Sequence, residues 1–210
     1  MSLSSPTRDG VTLVFPRRCA NMQGMKVISR FLNSAVAALL AVFLLPGLVL
    51  ADEATLDDLF DRLKDADDRG AGRIEREIWN EWSKSGSPAM DLLLQRGRDA
   101  MAAGRTQEAI DHFSALIDHA PDFAEGWNAR ATAFYQARQF GPSVSDIAET
   151  LKRNPRHFGA LAGLGAIFEE LGQKEKALEV YRAALTIHPH LQGVTEAVKR
   201  LETQVAGTDL

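Results

Sequence analysis

The sequence predicts an all-α fold, a solenoid of antiparallel helix pairs closed by a helical segment at each end, and three observations predict it. Residues 90–123, 124–157 and 158–191 repeat one another at a fixed period of 34. Inside each period, apolar residues recur at helical spacing in two runs of about a dozen residues, separated by a short polar turn. Pro121, Pro155 and Pro189 close successive units at that same interval. Self-similarity at a period of roughly 20 to 50 residues marks stacked units, each of which buries its apolar face only against its neighbours.

Composition fits one domain with an appendage: 210 residues, 45% hydrophobic and 25% charged. Cys19 is the single cysteine, which leaves no disulfide framework and no thiolate metal cluster. The formal net charge of −4 offers no basic stripe for nucleic acid. Residues 1–24 show no periodicity. From Met25 the order is Lys26 and Arg30, the apolar run Ala35 to Leu45, Pro46-Gly47 and the small-residue site Val49-Leu50-Ala51. That is the order of a secretory signal peptide, so residues 1–51 are expected to direct export to the periplasm, with cleavage between Ala51 and Asp52 and a true start at Met22 or Met25. The alternative is an inner-membrane anchor over Phe31 to Leu50. Arg17-Arg18 is a weak twin-arginine signal because of Pro16 and its spacing.

Removal of residues 1–51 takes away five of the 24 Lys/Arg and one of the 28 Asp/Glu, leaving 19 minus 27, a net charge of −8 and no expected membrane contact. Residues 52–89 read as an acidic helical hairpin, a degenerate initial repeat. Its acids interleave with Leu56, Leu59, Phe60 and Leu63, and Gly70 and Gly72 lie near the turn. Ile74, Ile78, Trp79 and Trp82 are expected to cover the outer face of the first good repeat, because terminal units of a solenoid cap the stack. Asp65, Asp67 and Asp68 lack the spacing and terminal Glu of a Ca²⁺ loop.

The three units justify their own columns. Gly97, Ala131 and Gly165 on the first helices let the second helices approach closely, at Ala109, Ser143 and Ala177. Phe113, Ile147 and Tyr181 follow four residues later. Leu93, Trp127 and Leu161, with Ala100, Phe134 and Phe168, recur at helical spacing to fill the seam. The turns centre on Gly104, Arg138 and Gly172, and each Pro ends a second helix for want of an N–H.

These columns resemble the tetratricopeptide repeat family. The third unit follows its pattern through Leu161, Leu164, Gly165, Phe168, Ala177, Tyr181, Ala184 and Pro189. The second supplies Trp127 but departs at Ser143, Ile147 and Thr150, and the first carries Arg96 where the family prefers Leu. The resemblance implies a right-handed solenoid whose first helices line a concave groove for a protein or peptide partner. At those places stand Asp91, Leu94, Arg98 and Met101; Glu125, Asn128, Thr132 and Tyr135; and Gly159, Ala162, Ala166 and Glu169. The family's carboxylate clamp of Lys and Asn is absent, since its places hold Leu94, Arg98, Ala129, Gly159 and Gly163. Leu94, Arg98, Met101, Asn128, Thr132, Tyr135, Ala162 and Glu169 are therefore the expected protein-binding residues, with Tyr135 at their centre.

Residues 192–210 form a C-terminal cap and tail, with Val194, Val198, Leu201 and Val205 on one helical face and Lys199 and Arg200 on the other. No Gly-x-Ser-x-Gly, His-Glu-x-x-His or phosphate-binding glycine loop occurs. His112 and His119 stand two turns apart, and His157, His188 and His190 fall at unit junctions, where they are expected to be solvated. Asp111, Asp118 and Glu149 read as surface charge. The sequence supports no enzyme, cofactor or metal site. It points to an exported scaffold or adaptor, with structural self-association or service as an accessory subunit of an envelope assembly as the alternatives.

Overall fold

The computed structural model describes residues 50–206, with side chains from Leu56 onward except Asp68. The expected leader, residues 1–51, and the candidate membrane span lie almost wholly outside the described residues. Among those described, no helix is long and apolar enough to cross a membrane.

Nine helices and no strand occur among the described residues: α1 Leu50–Lys64, α2 Asp68–Trp82, α3 Pro88–Ala102, α4 Thr106–His119, α5 Ala124–Gln136, α6 Phe140–Arg153, α7 Phe158–Glu170, α8 Lys174–Ile187 and α9 Gln192–Ala206. The period survives in three dimensions, because α4, α6 and α8 begin at 106, 140 and 174, and α5 and α7 at 124 and 158. The pairs α3–α4, α5–α6 and α7–α8 are the three repeats, and the fold is the all-α solenoid that the sequence predicts.

The small-residue column sets how closely the paired helices approach. A Cβ on Gly97 would land in the Phe113 ring, and one on Gly165 in the Tyr181 ring. Ser143 takes the equivalent place of Ala109 and Ala177 in the middle repeat. It is buried, and its Oγ donates to the Ala131 carbonyl at 2.8 Å, so the hydroxyl is satisfied where the neighbouring units carry a methyl.

The turns repeat as faithfully. Gly104 and Gly172 hold φ of 73° and 71°, and Arg138 is held at 56° in the same left-handed region. In each case the next residue's N–H bonds back to the helix, Arg105 to Ala100 O, Gln139 to Phe134 O and Gln173 to Phe168 O, all at 2.8 Å. That is the bond pattern by which a left-handed residue ends a helix and satisfies its last carbonyls.

At the C-terminal end, α9 packs Ala197, Val198 and Leu201 on Ala177, Leu178 and Tyr181 of α8. Arg182 of α8 and Glu202 of α9 approach to 2.6 Å above this seam.

The N-terminal hairpin does not lie where the sequence reading expects it. Its apolar face, Leu59, Phe60 and Leu63 of α1 with Ala71, Ile74, Ile78 and Trp82 of α2, closes on Phe158 of α7, flanked by Ile187 and Leu191. The core of the first repeat contains no hairpin residue. The exposed positions of α3 explain the difference: Leu92, Gln95, Arg96 and Asp99 are polar apart from one leucine, so this end of the stack leaves little apolar surface to cover. The start of α7 presents Phe158 beside a glycine, and the hairpin's aromatic residues bury themselves there.

Candidate functional site

Gly159 is one of the expected groove positions, and α2 sits directly on it. A Cβ at Gly159 would come within 2.7 Å of Cη2 of Trp79, so the indole fills the space that the missing side chain leaves. Trp82 lies one turn further along α2. It contacts Phe158 at 5.0 Å and Trp79 edge-on at 5.3 Å between ring centroids. The hairpin is also tied to the repeats by charge, through Arg156 to Asp57 at 2.7 Å, while the Arg156 guanidinium covers the Phe60 ring.

Beneath the tryptophans runs a polar network that the sequence reading did not assemble. Glu125 is 3% exposed, and its carboxylate accepts from Arg98 Nη2 at 2.6 Å and from Asn128 Nδ2 at 3.1 Å. His157 Nε2 stands 3.1 Å from the same carboxylate. His157 Nδ1 accepts the N–H of Ala160 at 3.1 Å, capping α7, and that bond places the ring proton on Nε2, facing Glu125. Arg98 also reaches across to Ser83 Oγ, at the end of α2, at 3.1 Å. A buried carboxylate with three donors is fully satisfied, as a low-dielectric site demands.

His157 and His188 are both fully buried, which corrects the expectation of solvated junction histidines. Each follows a second helix, where a polar residue ordinarily meets water, but the hairpin covers both. His188 stacks edge-on against Phe158 with centroids 4.8 Å apart, and its Nδ1 accepts the His190 N–H at 3.2 Å. Burial holds the His188 imidazole below its ordinary pKa, and the carboxylate of Glu75, 3.4 Å away, opposes that shift. The signal that could have found this pair is the presence of Trp79 and Trp82, two large aromatics in a short polar helix with no partner of their own.

The other expected groove residues divide by what they touch. Leu94 is 2% exposed, packed in the core of the first repeat with Ala100 and Phe113, and it presents nothing to a ligand. Met101 packs against the same core. Arg98 and Asn128 are committed to Glu125. Ala162 borders an open hollow of about 560 Å³ shared with Gly72 and Glu75 of the hairpin. Glu169 accepts from Tyr181 Oη at 3.3 Å and pairs with Arg200 of α9 at 2.5 Å. Burial and the neighbouring Glu169 push the Tyr181 phenol well above its ordinary pKa, so it stays a donor.

Thr132 is exposed, and Tyr135 is half-buried. They line a cleft of about 100 Å³ whose wall includes Asn128, Ile147, Gly159 and Gly163. Tyr135 also borders a second hollow, with Ala166, Glu169 and Glu170. The cleft therefore runs along the first helices from Tyr135 to the glycine on which Trp79 sits. Asp67, in the acidic run weighed as a cation loop, caps α2 by accepting the Gly70 N–H at 2.7 Å.

Paired helices stacked at a fixed period, with a cleft along their first helices, define a helical-repeat scaffold. The tetratricopeptide repeat model matches residues 94–141 and 128–191. A TPR repeat-containing protein of Rhizobium etli is 38% identical over 153 residues, covering 72% of this chain and 75% of the relative. The chain belongs to the tetratricopeptide repeat family. An Hsp70-Hsp90 organizing protein of Triticum aestivum is 28% identical over 104 residues, which is 50% of this chain and 18% of that protein. Among solved structures, the first TPR of Spaghetti (RPAP3) bound to an HSP90 peptide has a TM-score of 0.54 at 23% identity, covering 56% of this chain and 93% of that one. The crystal structure of MamA has a TM-score of 0.53 at 18% identity, covering 70% and 83%. These two likenesses are of fold.

Proposed function

We propose that this chain is an exported, non-enzymatic scaffold that binds a protein or peptide partner along the first helices of its repeats, with Thr132 and Tyr135 at the centre of the contact. The observation that carries this reading is the cleft itself, open at Tyr135 and Thr132 and continuous with the surface at Gly159 that already receives a helix. Tyr supplies a large, fairly rigid contact with one hydroxyl, a type of side chain that is enriched where interface energy concentrates. The same fold takes this class of ligand elsewhere, since the first TPR of RPAP3 carries an HSP90 peptide. The mode of that recognition is not carried over, because Leu94 is buried and Gly159 is covered where a carboxylate clamp needs polar side chains. Export rests on the Lys26 to Ala51 pattern.

The test is capture of partners from an envelope extract by the parent chain and by a Thr132→Ala/Tyr135→Ala variant. Neither residue belongs to the Glu125 network, so the variant keeps its helical signal. Loss of the partners retained by the parent supports the site, and undiminished capture moves the site elsewhere. N-terminal sequencing of the envelope-fraction protein is expected to begin at Asp52. A sequence that begins at Met1, Met22 or Met25 removes the cleaved leader.

A further inference from the structure

We propose that the α1–α2 hairpin is an internal ligand of the repeats, and that the partner it holds off is an amphipathic helix bearing two aromatic residues three apart and a carboxylate one turn before the first. This rests on the reading that the groove binds a protein segment, and it adds what that segment looks like and how access to it is controlled.

Four observations carry the inference. First, the hairpin does not extend the stack; it meets the repeats through side chains at the start of α7 and the junction loops on either side of the last repeat. Second, the receiving surface is held by the repeats' own bonds. Glu125 and the Ala160 N–H fix His157, the His190 N–H fixes His188, and Gly159 leaves the recess that Trp79 fills. A surface held in this way stays shaped for an aromatic helix when the hairpin leaves.

Third, polar contacts flank the aromatic docking. Arg156 pairs with Asp57 of α1, Arg98 Nη2 donates to Ser83 Oγ at the end of α2, and Glu75 of α2 faces the buried His188. Fourth, the fit is incomplete at one atom. His188 Nε2 is buried without a hydrogen bond, and Glu75 stops 3.4 Å away. A partner helix whose carboxylate reaches this nitrogen with good geometry gains a bond that the hairpin does not make.

The tether explains why the hairpin holds the site in the free chain. Residues 83–87, Ser-Lys-Ser-Gly-Ser, join α2 to α3. So short a connection keeps α2 at a high effective concentration over α7, and an outside helix must compete with it.

The probe is a labelled peptide of residues 68–84, followed by fluorescence anisotropy with the full chain and three variants. Trp79→Ala/Trp82→Ala empties the recess, and an insertion of about twenty Gly/Ser residues into 83–87 keeps the contacts of the hairpin with α7 and the junction loops while lowering the effective concentration about tenfold. Each is expected to bind the peptide about tenfold or more tightly than the parent. Gly159→Leu in the tryptophan variant is expected to abolish that binding. If the tryptophan variant does not fold, the tether variant decides alone. Failure of the peptide to bind the lengthened chain better than the parent makes the hairpin a permanent part of the fold and overturns the proposal. So does binding that ignores Gly159→Leu. Either result leaves capture through Thr132 and Tyr135 standing, whereas peptide binding combined with capture that survives the Thr132/Tyr135 variant removes the proposed site and keeps the internal ligand.

Discussion

Trp82 lies flat on His157, with ring centroids 4.3 Å apart and planes 19° from parallel. One face of the imidazole receives the hairpin, while its two nitrogens serve Glu125 and the first turn of α7. The docking of the hairpin and the capping of the last repeat's first helix therefore meet in one side chain.

Trp82→Ala removes this stack together with the contacts to Phe60 and Phe158. Truncating a buried tryptophan typically costs about 3–5 kcal/mol, and much of that loss is expected in the urea midpoint, because Trp82 sits in the cluster that joins the hairpin to α7. An unchanged midpoint would show that the hairpin adds nothing to the stability of the repeats.

Glycine substitutions are expected to split by sign. Alanine in place of a helical glycine gains up to about 1 kcal/mol from backbone propensity alone. Gly193 of α9 has nothing within 4 Å of the place its Cβ would take, so Gly193→Ala should raise the melting temperature slightly. Gly165→Ala drives a methyl into the Tyr181 ring, and overpacking of this kind costs about 1–3 kcal/mol. Thermal melts of the two variants moving in the same direction would contradict the packing argument.

Much of the repeat array was legible because it is written as a period. The columns Gly97/Ala131/Gly165 and Phe113/Ile147/Tyr181 are contacts between neighbours in sequence, and the proline column gives the unit ends. The hairpin was legible as two amphipathic helices, but its destination was not. Nothing local in Trp79 or Trp82 says that they meet Gly159 and His157, some eighty residues on, and the stacking rule for terminal repeats pointed to α3 instead. The groove fared in between: helical spacing put Thr132 and Tyr135 on the cleft, but it could not show that Leu94 turns into the core or that Glu125 gathers Arg98, Asn128 and His157 beneath it. Such a network depends on several elements at once and leaves no periodic trace.

Arg138 holds φ of 56° where the other two repeats carry glycine. The left-handed conformation costs a residue with a Cβ about 1 kcal/mol or slightly more. Against this stand an exposed pair with Glu170 at 3.3 Å and a guanidinium over Phe140, both weak at the surface. Arg138→Gly is therefore expected to stabilise the middle repeat by a few tenths to about 1 kcal/mol, read from chemical denaturation. A loss of stability would mean that the Phe140 contact outweighs the backbone strain.

The pH dependence of stability near neutrality should report on His188. Its imidazole is buried and held below the ordinary value of 6.5, first by loss of hydration, with His190 adding to the shift and Glu75 opposing it. The unfolded chain therefore binds this proton more readily than the native one. The contribution of His188 is fully present above about pH 7.5 and declines as pH falls through 6.5 towards the lowered native value, with a slope of at most about 1.4 kcal/mol per pH unit. Most carboxylates titrate lower, so denaturation measured from about pH 7.5 to 5.5 isolates the histidines. Glu75→Gln removes the carboxylate that favours the charged ring and should steepen the decline. His188→Gln should flatten it relative to the parent. A parent whose stability is level across this range, or rises as the solution is acidified, would mean that His188 is charged in the native state and paired with Glu75.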